Sequence, residues 1–444
     1  MGAGKSTVGR QVALRLGRPF YDVDEEIERA EGPIWELFEQ QGETAFRELE
    51  ARFTREVAMR REPSVIAVGG GAVETRDLLD TLDVLTVYLD VDADEAWARV
   101  QGSRRPLARD ESEFRDRYER RRPLYEQAAD ARAEDADGVV LAAGGVSVSA
   151  MSRDLVPGQI ALVADERVLE LHPPPVDAPV LTVPAGEGAK TVATAARLWR
   201  GLRLDRGGTL VAFGGGCTTD VAGFVAATYL RGIDWIAVPT TLVGQVDAAI
   251  GGKTAIDLPE GKNLVGAFHW PVRTLIDPGL LETLPEEQRR EGLAEVVKTG
   301  LLAGEPLWEL PERELVRRCA AFKTALCLRD PYDLGPRLVL NLGHTFAHAL
   351  EAGAGYETVT HGRAVALGLL AALRLSGWST DAVEDVLRPA PVKVDRERAW
   401  EALKRDKKST SGELRLVLLG DDGGFTASVP ESDVREALDG LIAN

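Results

Sequence analysis

Cysteine and histidine are both scarce, with three Cys and five His in 444 residues. Cys217, Cys319 and Cys327 form neither a disulfide framework nor a metal-type CxxC spacing, which excludes a disulfide-stapled secreted domain and fits a reducing cytoplasm. No apolar run reaches bilayer length. The longest, AVALGLLAAL, stops after ten residues at Arg374, about half of what a spanning helix needs, and suits a core helix. The opening residues lack the basic-then-apolar pattern of a secretory signal. Positive charge is in deficit, with 53 Lys and Arg against 71 Asp and Glu and a formal net charge of -18. That balance argues against nucleic acid or an acidic membrane as partner. An anionic substrate then needs a local cluster of Lys and Arg, so basic residues inside glycine-rich motifs become the ones to follow.

What is present is an ordinary globular composition, 44% apolar and 28% charged. The length implies two or three domains, at roughly 150 residues each. Apolar strands such as SVIAVGGG and VLTVYLD alternate with helical periodicity in residues 1–136. The polar stretch ARAEDADG marks a boundary, with no helix expected after Ala131. In residues 137–279, IALVAD, PVLTVPAG, GTLVAFGGG and DWIAVPTT each run from an apolar strand into a Gly or Pro turn, an α/β pattern with a parallel sheet. From about 280 to 444 the strand signal fades into helical periodicity, and an all-α domain is expected.

Two groups of residues carry chemistry. The first opens the chain: in MGAGKSTVGR, Gly2 and Gly4 lead into Lys5, Ser6 and Thr7 at the start of a helical pattern. Backbone N–H groups and the positive end of a helix cradle phosphate in such loops, with the Lys on β/γ-phosphates and the Ser on Mg²⁺. Asp22 and Asp24 in FYDVDEEIE offer one carboxylate to a metal and one to a substrate hydroxyl. Arg47, the glycines of VIAVGGGAV and the arginines of RRPL and ERRRPLY complete a set suited to a polyanion, although each Arg alone reads as a solvated surface residue. In this order the motifs resemble shikimate kinase over roughly residues 1–130. The resemblance implies a P-loop kinase fold passing the γ-phosphoryl of ATP to the 3-hydroxyl of shikimate. It implies Lys5 and Ser6 on phosphate and Mg²⁺, and Asp22 in the metal's outer shell. It further implies Asp24, Arg47, Gly70, Gly71 and Arg121 on shikimate with Asp24 accepting the proton, Arg105 as a lid arginine, and Arg99 near adenine. The pattern also calls for a glycine two residues before Met1 and for a preceding central strand, so additional residues upstream of Met1 are expected.

The second group contains three of the five histidines, in LGHTFAHALEAGAGYETVTHGRAV. His344 and His348, four apart, share a helix face. His344 and His361 with an acid from elsewhere would make a zinc site of catalytic type, the alternative being a core pair near a loop. The segments GTLVAFGGGCTTDVAGFVAATYLRG, VPTTLVGQVDAAIGGKTAIDLPEGKNLVGAFHWP, EGLAEVVKTG, RLVLNLGHTFAHALE, HGRAVALG and RDKKSTSGELRLVLLG are similar, in order, to 3-dehydroquinate synthase over about residues 140–444. The resemblance implies a Rossmann-like NAD domain, a helical metal domain, and conversion of 3-deoxy-D-arabino-heptulosonate 7-phosphate to 3-dehydroquinate. It implies zinc (or cobalt) ligands at Glu295, His344 and His361, with His348 on the substrate phosphate. Substrate positions carry over to Asp247, Lys253, Asn263, Lys298, Lys323, Arg337, Asn341 and Lys407, and Arg231 reaches the phosphate of a neighbouring subunit in a homodimer. Cofactor positions carry over to Asp165, Glu187, Lys190, Gly214, Gly215, Gly216, Asp220, Thr240, Thr241 and Lys262. One departure is RDPYD, which keeps Asp330 and Asp333 around Pro331.

The combined expectation is a cytoplasmic enzyme with two activities and small-molecule substrates. The alternatives are a synthase carrying an inactive kinase-like module, and an NAD- and metal-dependent polyol dehydrogenase.

Overall fold

A computed structural model describes residues 2–75, 77–101, 110–150, 158–406 and 413–443. The chain divides into two compact units, Met1–Gly144 and Gly145–Asn444.

In the first unit, β1 (Phe20–Asp22) pairs in parallel with β2 (Val65–Ala67), and β3 (Val87–Leu89) in parallel with β4 (Ala131–Ala133). Helix Lys5–Leu16 starts from Gly4 in the left-handed region, at φ 78°, and buries Val12, Ala13 and Leu16. It stops at Gly17, whose N–H reaches back to the last turn, an ending that glycine permits. Residues 136–143, where no helix was expected, form one. Asp135 caps helix Ala136–Ala143 by accepting the Gly138 N–H at 2.8 Å, and Val140 and Leu141 are buried. Asp137 on this helix pairs with Arg15 of the first helix, which ties residues up to Gly144 into this unit.

The second unit is built on a six-stranded, all-parallel sheet in the order β5-β12-β9-β8-β6-β7. Its strands are β5 (Val146–Val148), β6 (Ile160–Asp165), β7 (Val180–Val183), β8 (Thr209–Gly214), β9 (Asp234–Pro239) and β12 (Arg273–Ile276). β8 is buried at all six positions, as expected of a central strand with helices on both faces. An antiparallel hairpin, β10 (Lys253–Leu258) with β11 (Gly261–Phe268), precedes β12. The remainder is mainly helical and packs around Phe346, Leu350, Leu367 and Trp400. It is not all helical: β13 (Glu413–Gly420) and β14 (Gly423–Pro430) form an antiparallel hairpin. No helix among the described residues is long and apolar enough to cross a membrane.

Candidate functional sites

The parallel sheet changes direction between β6 and β8, since β7 follows β6 on one side while β8 and β9 lie on the other. Ligands bind beyond the carboxyl ends of the strands at such a switch point. Here Asp165 ends β6, Gly215 follows β8, and Thr240 and Thr241 follow β9, all at the edge of a cavity of about 820 Å³ within the second unit. Helix Gly216–Thr228 begins at this cavity with Gly215 as its cap residue and no acidic side chain in its first turn, leaving N–H groups for an anion. A Cβ at Gly215 would stand 2.9 Å from the Thr241 side chain, and one at Gly216 would stand 2.9 Å from Ala248. The hydroxyls of Thr218 and Thr240, both on the cavity wall, are buried with no hydrogen-bond partner among the described residues. Open amides, bare glycines and orphaned hydroxyls fit a nucleotide at this crevice.

Lys190 sits among acids, 2.8 Å from Asp220 and 3.5 Å from Glu187, and also donates to Asn263. Burial would lower its pKa, but Asp220 and Glu187 outweigh it and raise the ammonium above its usual value. Burial pushes Asp220 up to about 6 against the pull of Lys190.

The donor atoms of Glu295, His344 and His361 all lie within 4.8 Å of one another. Glu295 comes from helix Glu286–Ala303, His344 opens helix His344–Gly353, and His361 opens helix His361–Ser376. Glu295 Oε1 is 3.4 Å from His344 Nε2 and 3.2 Å from His361 Nε2. Nδ1 of His344 faces the Leu342 carbonyl at 3.2 Å, an outer contact that fixes a ligand imidazole. Although burial alone would raise Glu295, Lys298 and His344 hold it well below the ordinary carboxylate range. Burial opposes a charged His361, yet Glu295 and Glu351 push it up to about 10. One carboxylate and two imidazoles suit a tetrahedral zinc or cobalt ion with an open position.

Cationic groups surround that opening. Lys323 pairs with Asp247 at 2.7 Å, and Lys298 lies between Glu295 and Asp247. Arg337, 2% exposed, donates to the carbonyls of Gly251 at 3.0 Å and Pro331 at 3.3 Å. Lys253 pairs with Asp333, while Asp330 accepts the N–H groups of Leu334, Gly335 and Arg337.

The cavity wall gathers nearly every synthase position drawn from the sequence, including Asn263, Asn341, His348 and Lys262. Gly214 and the fully buried Glu295 stand outside its wall, the latter reaching the two imidazoles from behind. Arg231 is exposed in a turn at φ 71° and takes no part in the wall. Lys407 lies outside the described residues, as does Arg105 of the kinase set. Glu351 and Tyr356 also line the cavity and were missed. The signal for Glu351 was its spacing, three residues after His348 and seven after His344.

The first unit brings together a second set. The Ser6 hydroxyl hydrogen-bonds Asp22, which caps the next helix by accepting the Asp24 N–H at 3.0 Å. Lys5, Ser6 and Thr7 form the first turn after Gly4, and Arg99 reaches this loop, donating to the Gly2 carbonyl at 3.3 Å. Arg47 pairs with Glu50 at 2.6 Å and Glu43 at 3.0 Å. The glycine run presses against this pair: a Cβ at Gly71 would stand 2.0 Å from the Arg47 guanidinium, and one at Gly69 1.7 Å from Glu50 and 3.3 Å from Asp24. Arg121, 3% exposed, pairs with Glu74 at 2.6 Å, and the Tyr125 hydroxyl donates to the Gly70 carbonyl at 2.6 Å. Glu50, Glu74 and Tyr125 escaped the sequence reading. Glu50 is nevertheless buried, and burial raises its pKa against the pull of Arg47.

Comparison with known proteins follows the same division. The shikimate kinase family matches residues 1–143, and the N-terminal and C-terminal regions of 3-dehydroquinate synthase match 180–291 and 292–409. The bifunctional shikimate kinase/3-dehydroquinate synthase of Thermotoga maritima is 33% identical, covering 93% of this chain and 92% of that protein. The 3-dehydroquinate synthase of Pelobacter propionicus is 40% identical over 300 residues, 59% of this chain and 83% of that protein. A solved 2-deoxy-scyllo-inosose synthase, in complex with carbaglucose-6-phosphate, NAD⁺ and Co²⁺, shares the fold with a TM-score of 0.60 at 24% identity, covering 67% of this chain and 96% of that one. The chain belongs to the bifunctional shikimate kinase/3-dehydroquinate synthase family, and it carries both a 3-dehydroquinate synthase and a shikimate kinase.

Proposed function

We propose that the cavity of the second unit turns 3-deoxy-D-arabino-heptulosonate 7-phosphate into 3-dehydroquinate and phosphate, and that the glycine-rich cluster of the first unit phosphorylates the 3-hydroxyl of shikimate. One observation carries the synthase reading. His344 and His361, with Glu295 behind them, line one cavity with an open helix N-terminus and a bank of cations.

Bound there, a zinc or cobalt ion supplies Lewis acidity toward an alcohol, and NAD⁺ supplies a reversible hydride acceptor. The chain's own groups hold and orient the substrate. Lys253, Lys298, Lys323, Arg337 and Lys407 offset the charge of the substrate, His348 contacts its phosphate, and Asn341 and Asn263 hydrogen-bond it. Asp247 fixes the ammonium groups of Lys323 and Lys298, so their charge is already aimed when substrate arrives. Asp165, Glu187, Lys190, Asp220, Thr240, Thr241, Lys262 and the glycines 214–216 hold the dinucleotide. The Lys and Arg gathered in this cavity give a chain of net charge -18 local cations for a phosphorylated sugar.

In the kinase, Lys5, Ser6 and Thr7 hold ATP phosphates and Mg²⁺ with Asp22 behind, and Arg99 lies near adenine. Arg47, Arg121, Gly70 and Gly71 orient shikimate so that its hydroxyl faces Asp24. Arg105 closes over the transferring phosphoryl group. The division into a kinase domain, an NAD domain and a helical metal domain belongs to this reading. So does a cytoplasmic homodimer, supported by exposed Arg231 and by Leu264 and Phe268, exposed on the β10–β11 hairpin. Light scattering should give twice the 48.0 kDa chain mass.

The deciding experiment assays the full chain twice. With NAD⁺, Zn²⁺ and the heptulosonate phosphate, inorganic phosphate should be released without net NADH. With ATP, Mg²⁺ and shikimate, ADP should form. Steady NADH accumulation would favour a dehydrogenase, and absence of ADP would leave the first unit a structural module.

A further inference from the structure

Glu351 belongs neither to the ligand set nor to the nucleotide set, yet it stands between them. It lies near the end of helix His344–Gly353, 4% exposed, facing the cavity. Its Oε1 is 3.6 Å from Nδ1 of His361, whose Nε2 is 3.2 Å from Glu295. The same oxygen is 3.7 Å from Nζ of Lys262. Lys262 in turn lies 3.6 Å from Glu187, which is 3.5 Å from Lys190 at the mouth of the glycine crevice. The ammonium of Lys262 also stands 5.5 Å from the ring centroid of Tyr356. Tyr356 is held at φ 63°, with its N–H on the Glu351 carbonyl at 2.8 Å. A bulky residue in the left-handed region costs on the order of 1–3 kcal/mol and persists where its surroundings over-determine it. Here the turn keeps an aromatic face beneath Lys262. Burial alone would raise the Glu351 carboxyl, but His361, Lys262 and His348 hold it below its ordinary value.

We propose that Glu351 is a positioning residue that couples the metal centre to the nucleotide subsite, orienting His361 through Nδ1 while anchoring Lys262 through the same oxygen. The proposal rests on the reading of Glu295, His344 and His361 as metal ligands. The two imidazoles are supported differently. His344 faces a backbone carbonyl, which ligands elsewhere leave unchanged, whereas His361 faces a charged side chain shared with a cofactor-site lysine. When Lys262 turns to a bound dinucleotide, more of the Glu351 charge is left to His361, which makes that imidazole a better ligand. Nucleotide therefore tightens metal binding, and by linkage metal tightens nucleotide binding.

The test uses the full chain stripped of metal, titrated with Co²⁺ against a chromophoric chelator, with and without NAD⁺ and without sugar substrate. In the parent protein, saturating NAD⁺ should tighten Co²⁺ about fivefold or more. Glu351→Gln should weaken Co²⁺ about 10- to 100-fold, alter its visible absorption, and abolish the NAD⁺ effect. Glu351→Asp, which keeps the charge but withdraws it by one methylene, should recover part of both. Lys262→Met tests the link from the other end, whether or not the Glu351 variants fold: Co²⁺ should bind more tightly than in the parent and ignore NAD⁺. A folded Glu351→Gln protein within twofold of the parent, or a Lys262→Met protein that keeps the NAD⁺ effect, overturns the coupling. A parent protein that binds no stoichiometric Co²⁺, or binds it unchanged after Glu295→Ala, overturns the metal-site reading instead.

Discussion

One oxygen of Glu295 lies within 3.4 Å of two imidazole nitrogens, while the same carboxylate pairs with the buried Lys298. Its removal therefore does two things. Glu295→Ala takes away the carboxylate of the proposed metal set and leaves the Lys298 ammonium without its nearest counter-charge inside the protein. Breaking such a pair costs about 3–5 kcal/mol, far more than the pair itself contributes against an apolar replacement. Phosphate release should fall about a thousandfold or more, bound zinc measured by elemental analysis should drop below stoichiometric, and the synthase unit should melt earlier. Shikimate phosphorylation should persist. In the kinase the informative residue is Tyr125, whose hydroxyl holds the Gly70 carbonyl at 2.6 Å and so sets the approach of the glycine run to Arg47 and Asp24. Tyr125→Phe gives up about 1 kcal/mol of hydrogen bonding. The KM for shikimate should rise about fivefold with kcat nearly unchanged, since no group at the transferred phosphoryl is touched.

At the scale of elements, the strands that carry the site were the easiest to read. β6, β8 and β9 are largely apolar runs because both faces are buried, and the crevice opens at or just after their ends, at Asp165, Gly215 and Thr240. The helices bearing His344 and His361 announced themselves by period and by length. Helix Ala136–Ala143 did not, because eight residues containing Asp137 and Gly138 give too little 3.6-residue signal and its place is decided by packing on a helix at the far end of the unit. The β13–β14 hairpin was hidden for a similar reason: LVLLG reads equally as strand or buried helix until its partner strand is known. Glu295 was reachable only through the family resemblance, since no local spacing links it to His344, and Glu50 and Glu351 look like ordinary helix-surface acids until the fold buries them. The crevice itself yields a prediction. Gly216→Ala would place a methyl group 2.9 Å from Ala248 at the helix start, tightening the space where dinucleotide phosphates approach the amides. NAD⁺ affinity measured by calorimetry should fall about tenfold, roughly 1.4 kcal/mol, and the unfolding temperature should drop as well, because the Ala248 Cβ cannot give way without its backbone. Cys217 follows Gly216 on the same helix, where the dipole favours a thiolate. Burial, with Glu187 and Asp220 beside it, outweighs that and pushes the thiol up to about 12, as burial also does for Cys319. Ellman's reagent at pH 8 should therefore label native protein far more slowly than unfolded protein, in which all three cysteines react.

For the whole molecule the governing fact is its division into two compact units with separate apolar clusters. Val23, Ile27, Leu37 and Phe46 pack within the first unit, whereas the largest cluster, around Phe346 and Trp400, lies within the second. Calorimetry should resolve two unfolding transitions, each responding to its own ligands. NAD⁺ and Zn²⁺, each at a hundred times its dissociation constant, add about 2.7 kcal/mol apiece to whichever unit binds them, enough to raise one transition by several degrees and leave the other in place. Shikimate with ATP should move the complementary transition. Acid supplies a second handle, with a sign fixed by the buried carboxylates. Burial would raise Asp247, Glu295 and Glu351, but Lys323 and Lys298, Lys298 and His344, and His361 respectively hold all three below their ordinary values. A carboxylate depressed in the folded state contributes stability that is complete above its unfolded value, about 4, and is lost as pH falls through the depressed range. Burial raises Asp165, Asp220 and Asp257 of the same unit, which offsets part of that loss. The first unit is mixed as well. Glu74, despite burial, is lowered by Arg121, whereas Glu50 is raised, so the contribution of Glu50 declines as pH rises and partly cancels that of Glu74. Below about pH 4 the transition that answers to NAD⁺ and Zn²⁺ should therefore descend more steeply than the one that answers to shikimate and ATP. Parallel descent of both transitions, or a shift of both by either ligand pair, would mean that the two units share one cooperative fold.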